Sequence, residues 1–110
     1  MVVGALCLWE GKFLLCRKAI EPRSGLWTLP AGYLELNETT EEAARRETHE
    51  EAGTEIEIDA LLAIYALRHI SQVQLIHLAR LLGPGLAPGP ESAEVRLFGW
   101  EELPREEIAF

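Results

Sequence analysis

Between Gly32 and Thr54 the chain reads GYLELNETTEEAARRETHEEAGT. The stretch opens as a loop, becomes a helix and carries its own stop. Thr39 supplies an N-cap hydroxyl, and Glu42, three residues on, completes a capping box in which each side chain satisfies the other's backbone N–H. Gly53 supplies the left-handed residue that commonly ends a helix. The pattern predicts a helix over Thr40–Ala52. At about 100° per residue, Ala44, Thr48 and Ala52 fall on one narrow stripe, small enough to pack closely against a sheet. Glu47, Glu50 and Glu51 fall on an adjacent face, at i, i+3 and i+4. Like charges at this spacing cost about 0.2–0.5 kcal/mol per pair. Glu50 and Glu51 also stand in the last turn, where the helix dipole disfavours anions. A face that breaks two local rules at once points to a site. Carboxylates on adjacent turns suit a hard divalent cation, which takes oxygen ligands, and Arg46, four residues before Glu50, is placed to hold that carboxylate. Against this stands the plainer account that glutamate is a strong helix former and a Glu-rich helix is commonly a solvated face.

The spacing on either side of the helix weighs between the two. Gly32, five residues, Glu38, seven residues and then Arg46-Glu47-Thr48-His49-Glu50-Glu51-Ala52-Gly53-Thr54 resembles the Nudix box, and all seven fixed positions of that signature match over 23 residues. Thr48 and Thr54 stand where the family usually has an aliphatic residue. The flanks, LLCRKAIEPRSGLWTLPAGYLE and APGPESAEVRLFGWEELP, resemble the subgroup that includes FAD and ADP-ribose pyrophosphatases. The resemblance implies the Nudix fold, an α/β architecture with a mixed sheet sandwiched between helices. It implies water attack on the diphosphate bridge of a nucleoside diphosphate linked to another moiety, with Mg²⁺ or Mn²⁺ as cofactor. Carried over position by position, Glu47, Glu50 and Glu51 are the metal ligands, with the Gly32 carbonyl as a further one. Arg46 orients them, and Glu38 has a structural role near the helix start. Related enzymes often take another carboxylate from the loop before the last strand. Glu94 is the first candidate for it and Glu91 the second, each weighed against an ordinary solvated glutamate. The alternative function is a nucleotide-sensing domain that binds without cutting; such domains usually have broken boxes, and this box keeps every acid.

Two departures from that subgroup bear on assembly. Many members carry a zinc ribbon before this domain, which is absent here, and members usually run on into a helix beyond the point where this chain stops, at Phe110. The expectation is a partly uncovered sheet, in a fragment, a truncated gene product or a minimal domain that pairs as a homodimer.

The rest of the chain fits one domain over 1–110. The net charge of −8 is uneven: residues 1–31 carry +2, residues 32–59 carry −8 and residues 60–110 carry −2. A polyanionic substrate is repelled by the acidic middle unless cations intervene; ordinary solubility is the competing explanation. Nucleic-acid binding through a basic surface has no support. No signal peptide or long apolar span is visible, so neither secretion nor membrane insertion is expected. Cys7 and Cys16 form no CxxC, and two buried free thiols fit a reducing cytoplasm. Arg17 and Arg23 are candidate phosphate or ribose contacts by charge. Trp27, Tyr33 and Phe98 are either stacking surfaces for a substrate base or core. His49 is expected on the solvent face, and His69 and His77 as structural strand residues.

Strands are expected at Val2–Trp9 and Lys12–Arg17, joined by a tight Glu10-Gly11 turn. Others are expected at Trp27–Leu29, Glu55–Ile58, Leu61–His69, Val73–Leu82 and Glu94–Trp100. A proline- and glycine-rich loop covers 83–91 and a short helix Leu103–Ile108.

Overall fold

The computed structural model describes residues 1–21 and 24–108. The first hairpin forms where the sequence places it, with β1 at Val2–Trp9 and β2 at Lys12–Lys18, and Leu8 pairs Phe13 across the turn. Glu10 (φ 48°) and Gly11 (φ 78°) both adopt the left-handed conformation that a two-residue hairpin loop needs. The two strands stay paired only near that turn. Farther along, β1 takes a different neighbour on the same edge, β4 (Ala31–Tyr33), through Val2–Gly4, while β2 goes on to pair β3 (Trp27–Thr28) and β7 (Ser92–Phe98). In the gap, the Pro30 carbonyl accepts from the Ala5 N–H at 3.1 Å.

On its other edge β1 runs parallel to β6 (Gln72–Leu81), which is antiparallel to β5 (Ile56–Leu67), giving a mixed sheet in the order β3-β2-β1-β6-β5. The helix α1 spans Thr40–Ala52, with the Thr39–Glu42 capping box formed and Gly53 at φ 65°. Its small-residue stripe is what lets it lie close on β1. Ala44, Thr48 and Ala52 are fully buried, alongside Val3, Ala5, Cys7 and Leu14. The Thr48 hydroxyl, at a position the family usually fills with an aliphatic residue, donates to the Ala44 carbonyl at 2.8 Å and so enters the core satisfied.

Several expectations need correction. Residues 56–67 form one strand rather than two, because register shifts at Ile58/Ala60 and Leu61/Ala63 let β5 bend along β6 without breaking. Where the stretch from Gly32 was expected to open as a loop, Ala31–Tyr33 is a strand, held by its ladder to β1. The last strand starts and ends two residues early, at Ser92 and Phe98. The expected C-terminal helix is instead a pair of 3₁₀ turns, Trp100–Glu102 and Arg105–Glu107. Among the described residues α1 is the one α-helix, so the sheet has a helix on one face only. The strand β5 is left at an edge with Leu61, Leu62, Ile64 and Tyr65 exposed. No helix of the described residues is long and apolar enough to cross a membrane.

Both thiols are buried and free. Burial pushes Cys7 up to about 12, against a small lowering by its hydrogen bond with Thr48, and pushes Cys16 higher still, with the nearby Glu51 charge adding to the effect. Burial thus disfavours the thiolate of both cysteines, and the thiolate is the reactive form. The native protein should consume no thiol reagent in a DTNB assay at pH 8, and two equivalents once unfolded in guanidinium. Rapid reaction of the native protein would contradict this packing.

Candidate active site

The acidic face of α1 looks into a cavity of about 380 Å³ lined by Glu47, Glu50, Glu51, Pro90 and Glu91. The loop that brings Glu91 there is built on the helix C-terminus. Ala87 N–H donates to the Ala52 carbonyl at 2.8 Å and Gly89 N–H to the Glu51 carbonyl at 3.3 Å, capping groups a helix end leaves open. Gly89 must be glycine for this, because a Cβ there would overlap the Glu50 carbonyl. The glycine- and proline-rich stretch is thus a clamp that sets Glu91 beside the helical acids.

Each carboxylate of the cavity has a distinct electrostatic setting. Arg46 reaches Glu38 through two bonds, at 2.7 and 3.0 Å, Glu47 at 2.7 Å, Glu50 at 3.4 Å and the Tyr33 carbonyl at 3.0 Å. The hydrogen bonds to Glu38 first, and then those to Glu47, hold its guanidinium charge more firmly than usual. Glu38 is held below its ordinary carboxylate range by the same bonds. Glu51 differs. It is 5% exposed, and burial pushes its carboxyl up to about 7 even though Lys18 opposes this from 3.3 Å. Both Glu51 oxygens also accept from Ala31 N–H at 3.4 Å.

A second cavity, of about 330 Å³, adjoins through β4. Lys18, Ile20, Thr28, Gly32, Tyr33 and Gln74 are among its lining residues. Gly32 lies between the two: a Cβ on it would overlap the Glu47 carboxylate.

A sequence profile of the NUDIX domain matches residues 1–110. The chain belongs to the Nudix family. It is similar to a solved NUDIX hydrolase from Nitrosomonas europaea, with a TM-score of 0.97 and 53% identity over 99% of this chain and 62% of that one. It is similar as well to a solved ADP-ribose pyrophosphatase from Streptococcus suis, with a TM-score of 0.78 and 28% identity over 94% of this chain and 75% of that one. A relative called ADP-ribose pyrophosphatase, from Methanocaldococcus jannaschii, is 29% identical over 102 residues, 87% of this chain and 59% of the relative. The chain therefore spans about three-fifths of that archaeal protein's length.

Nudix hydrolases generally use divalent metals, and the donor chemistry of this Nudix domain fits one. Glu47, Glu50 and Glu51 offer hard oxygen donors around one cavity, and Glu51 is a buried acid whose charged form needs a cation beside it. As arranged, these oxygens face Arg46 and Lys18, and no three acid, histidine or cysteine side chains among the described residues stand close enough together to hold an ion.

Other candidates from the sequence lie elsewhere. Trp27 is not available to stack on a base. It is 3% exposed and packs edge-on to Phe98 at 4.9 Å in a second core cluster with Leu15. Arg17 bonds the Gly25 carbonyl at 3.3 Å, pairs with Glu94 at 3.7 Å and lines neither cavity. Glu94 sits in β7, paired with Arg17, and lines neither cavity, whereas Glu91 lines that of the box acids. Arg23 lies outside the described residues. Tyr33 is 69% exposed and lines the second cavity. His49 pairs with Glu55 at 2.8 Å on the surface, and buried His77 bonds Thr40 at 3.1 Å. Lys18 and Gln74 escaped the sequence reading; the alternation of β2 and β6 gave no sign of which cavity they line.

Proposed function

We propose that this domain is a divalent-metal-dependent pyrophosphohydrolase that cleaves the diphosphate bridge of a nucleoside diphosphate linked to another moiety, with ADP-ribose first and FAD next as substrates. The observation that carries this is the pair of adjoining cavities: one is lined by four carboxylates, the other by Lys18, Glu21 and a mix of apolar, hydroxyl and amide groups. The first suits the hydrolysed bridge and the second a nucleoside. The names of the archaeal and streptococcal relatives favour ADP-ribose.

In this mechanism Glu47, Glu50 and Glu51 hold Mg²⁺ or Mn²⁺, with the Gly32 carbonyl beside them, and the ion supplies charge neutralisation and Lewis acidity toward the bridge. Arg46 fixes the ligand carboxylates. Glu91 takes the proton of the attacking water, because it lines the cavity from a different segment than the ligands; Glu94, 3.7 Å from Arg17, is the second choice. Little covalent chemistry is asked of the protein, since positioning and charge do most of the work in phosphoryl transfer. A reducing, cytoplasmic setting suits the two free thiols.

The test is ADP-ribose hydrolysis in ¹⁸O-labelled water with Mg²⁺ titrated in. AMP and ribose 5-phosphate should form, with one label on a product phosphate. Saturable binding without products would indicate a nucleotide-sensing domain instead, and a trapped phospho-enzyme would sink direct water attack.

We also propose a second copy of the chain as the partner of β5. An uncharged apolar run, residues 60–67, lies on an edge strand, where open N–H and C=O groups invite pairing. Sedimentation at micromolar concentration should give a dimer, and Ile64→Lys, which puts a charge in that run, should give a monomer. A stable wild-type monomer would overturn the pairing.

A further inference from the structure

We infer that Lys18 is a two-position cation. It neutralises Glu51 when that carboxylate holds no metal, and it turns to the substrate's diphosphate when Glu51 takes one. The inference rests on the pyrophosphohydrolase reading and adds a residue to it. Three observations carry it. Lys18 Nζ lies 3.3 Å from Glu51 Oε1, and both side chains are largely buried, at 18% and 6% exposed. The two residues line different cavities, Glu51 that of the carboxylates and Lys18 the adjoining one, so their ion pair is a charged link between the two. Arg46, another cation of the site, is fixed by bonds to Glu38, Glu47 and the Tyr33 carbonyl, whereas among the described residues the polar contact of Lys18 Nζ is with Glu51.

The physical argument is competition for one carboxylate. A divalent cation on Glu51 puts three positive charges within a few ångströms if Nζ stays, and the low-dielectric surroundings make that repulsion strong. The ammonium is a point charge on a flexible four-carbon stem, able to re-aim without rebuilding its neighbours. The direction open to it is the cavity it already lines, where the other charged lining group is Glu21. An anion arriving there beside the carboxylates is the diphosphate itself. Metal and substrate then exchange partners in one step of charge: Glu51 passes from lysine to metal, and lysine from Glu51 to phosphate.

The test uses the α,β-methylene analogue of ADP-ribose, which has no cleavable bridge. A crystal structure of the wild type with Mn²⁺ and the analogue should place Lys18 Nζ within about 3.2 Å of a phosphate oxygen and out of reach of Glu51. By calorimetry, Lys18→Met should weaken analogue binding about tenfold or more, the range for a lost hydrogen bond to a charged group, and Lys18→Arg should restore part of it. Mn²⁺ binding to nucleotide-free Lys18→Met at pH 8.5 should stay within about threefold of wild type or tighten, because the lysine competes with the metal. Nζ still on Glu51 with both ligands bound would overturn the inference. So would a loss of Mn²⁺ affinity in Lys18→Met with analogue binding unchanged, which would make the lysine a support for Glu51. A wild type that binds no analogue at all would overturn the pyrophosphohydrolase reading and this inference with it.

Discussion

Glu51→Gln is expected to lower kcat for ADP-ribose hydrolysis by about three orders of magnitude at saturating Mg²⁺, roughly 4 kcal/mol of transition-state stabilisation, while leaving the fold intact. The amide keeps the shape of the carboxylic acid and loses the charge that a cation needs. Its effect on stability has a sign that can be worked out. Burial raises the Glu51 carboxyl from its ordinary 4.5 to about 7. Between those values the folded chain binds more protons than the unfolded one, so stability falls as pH rises through the window. Glutamine mimics the protonated form and is spared that loss. In EDTA the variant should therefore match wild type near pH 4 and exceed it near pH 8, by up to about 3 kcal/mol, or on the order of 10 °C in Tm. Thermal melts at the two pH values check the stability half and steady-state kinetics the other. A variant with near-wild-type kcat would remove Glu51 from the metal site, and melting curves that keep a constant gap would mean its burial is not felt.

The helix was legible to the residue because its determinants are local. Thr39, Glu42 and Gly53 act within one turn of each end, and no distant contact could move them. The strand β4 was not, because the stretch from Gly32 reads as a loop and Ala31–Tyr33 becomes a strand only by lying against Val2–Gly4. The apparent break in β5 has a similar origin. Asp59 looks like the end of a strand, yet it projects at a bulge and pairs with Arg80 at 2.8 Å, so the strand passes through it. For the site, the box gave the acids of one helix and their guanidinium. The fourth acid was ambiguous because spacing along 83–94 cannot tell which glutamate returns to the helix. That is decided by two backbone bonds from Ala87 and Gly89 to the end of α1. Trp27 shows the opposite limit. Its type fits a stacking surface as well as a core, and only its packing against Phe98 chooses.

Arg46→Ala should be the most damaging single change outside the ligand carboxylates themselves, and Arg46→Lys should rescue little of it. The guanidinium lies at the centre of the acidic face. Two of its bonds go to Glu38, at 2.7 and 3.0 Å, another goes to Glu47 at 2.7 Å, and the Tyr33 carbonyl takes a further one at 3.0 Å. It thereby ties the loop that begins at β4 to the helix, and it offsets the like-charge repulsion among Glu47, Glu50 and Glu51. Alanine leaves Glu47 without a counter-charge and the loop without its tether. The pairs are partly screened, Arg46 being 23% exposed, so the loss in stability should be about 2 kcal/mol, between the values for surface and buried pairs, or roughly 10 °C in Tm. Lysine supplies a single ammonium where the site uses a planar fork in several directions at once, so it can satisfy Glu38 or Glu47 but not both along with the carbonyl. Metal affinity and turnover should each fall about 10–100-fold, the range for groups that orient ligands. Mn²⁺ titration, kinetics and melting of the two variants test this together. If Arg46→Lys kept both the metal affinity and the Tm of the wild type, the fork would be irrelevant and Arg46 would act as a simple positive charge.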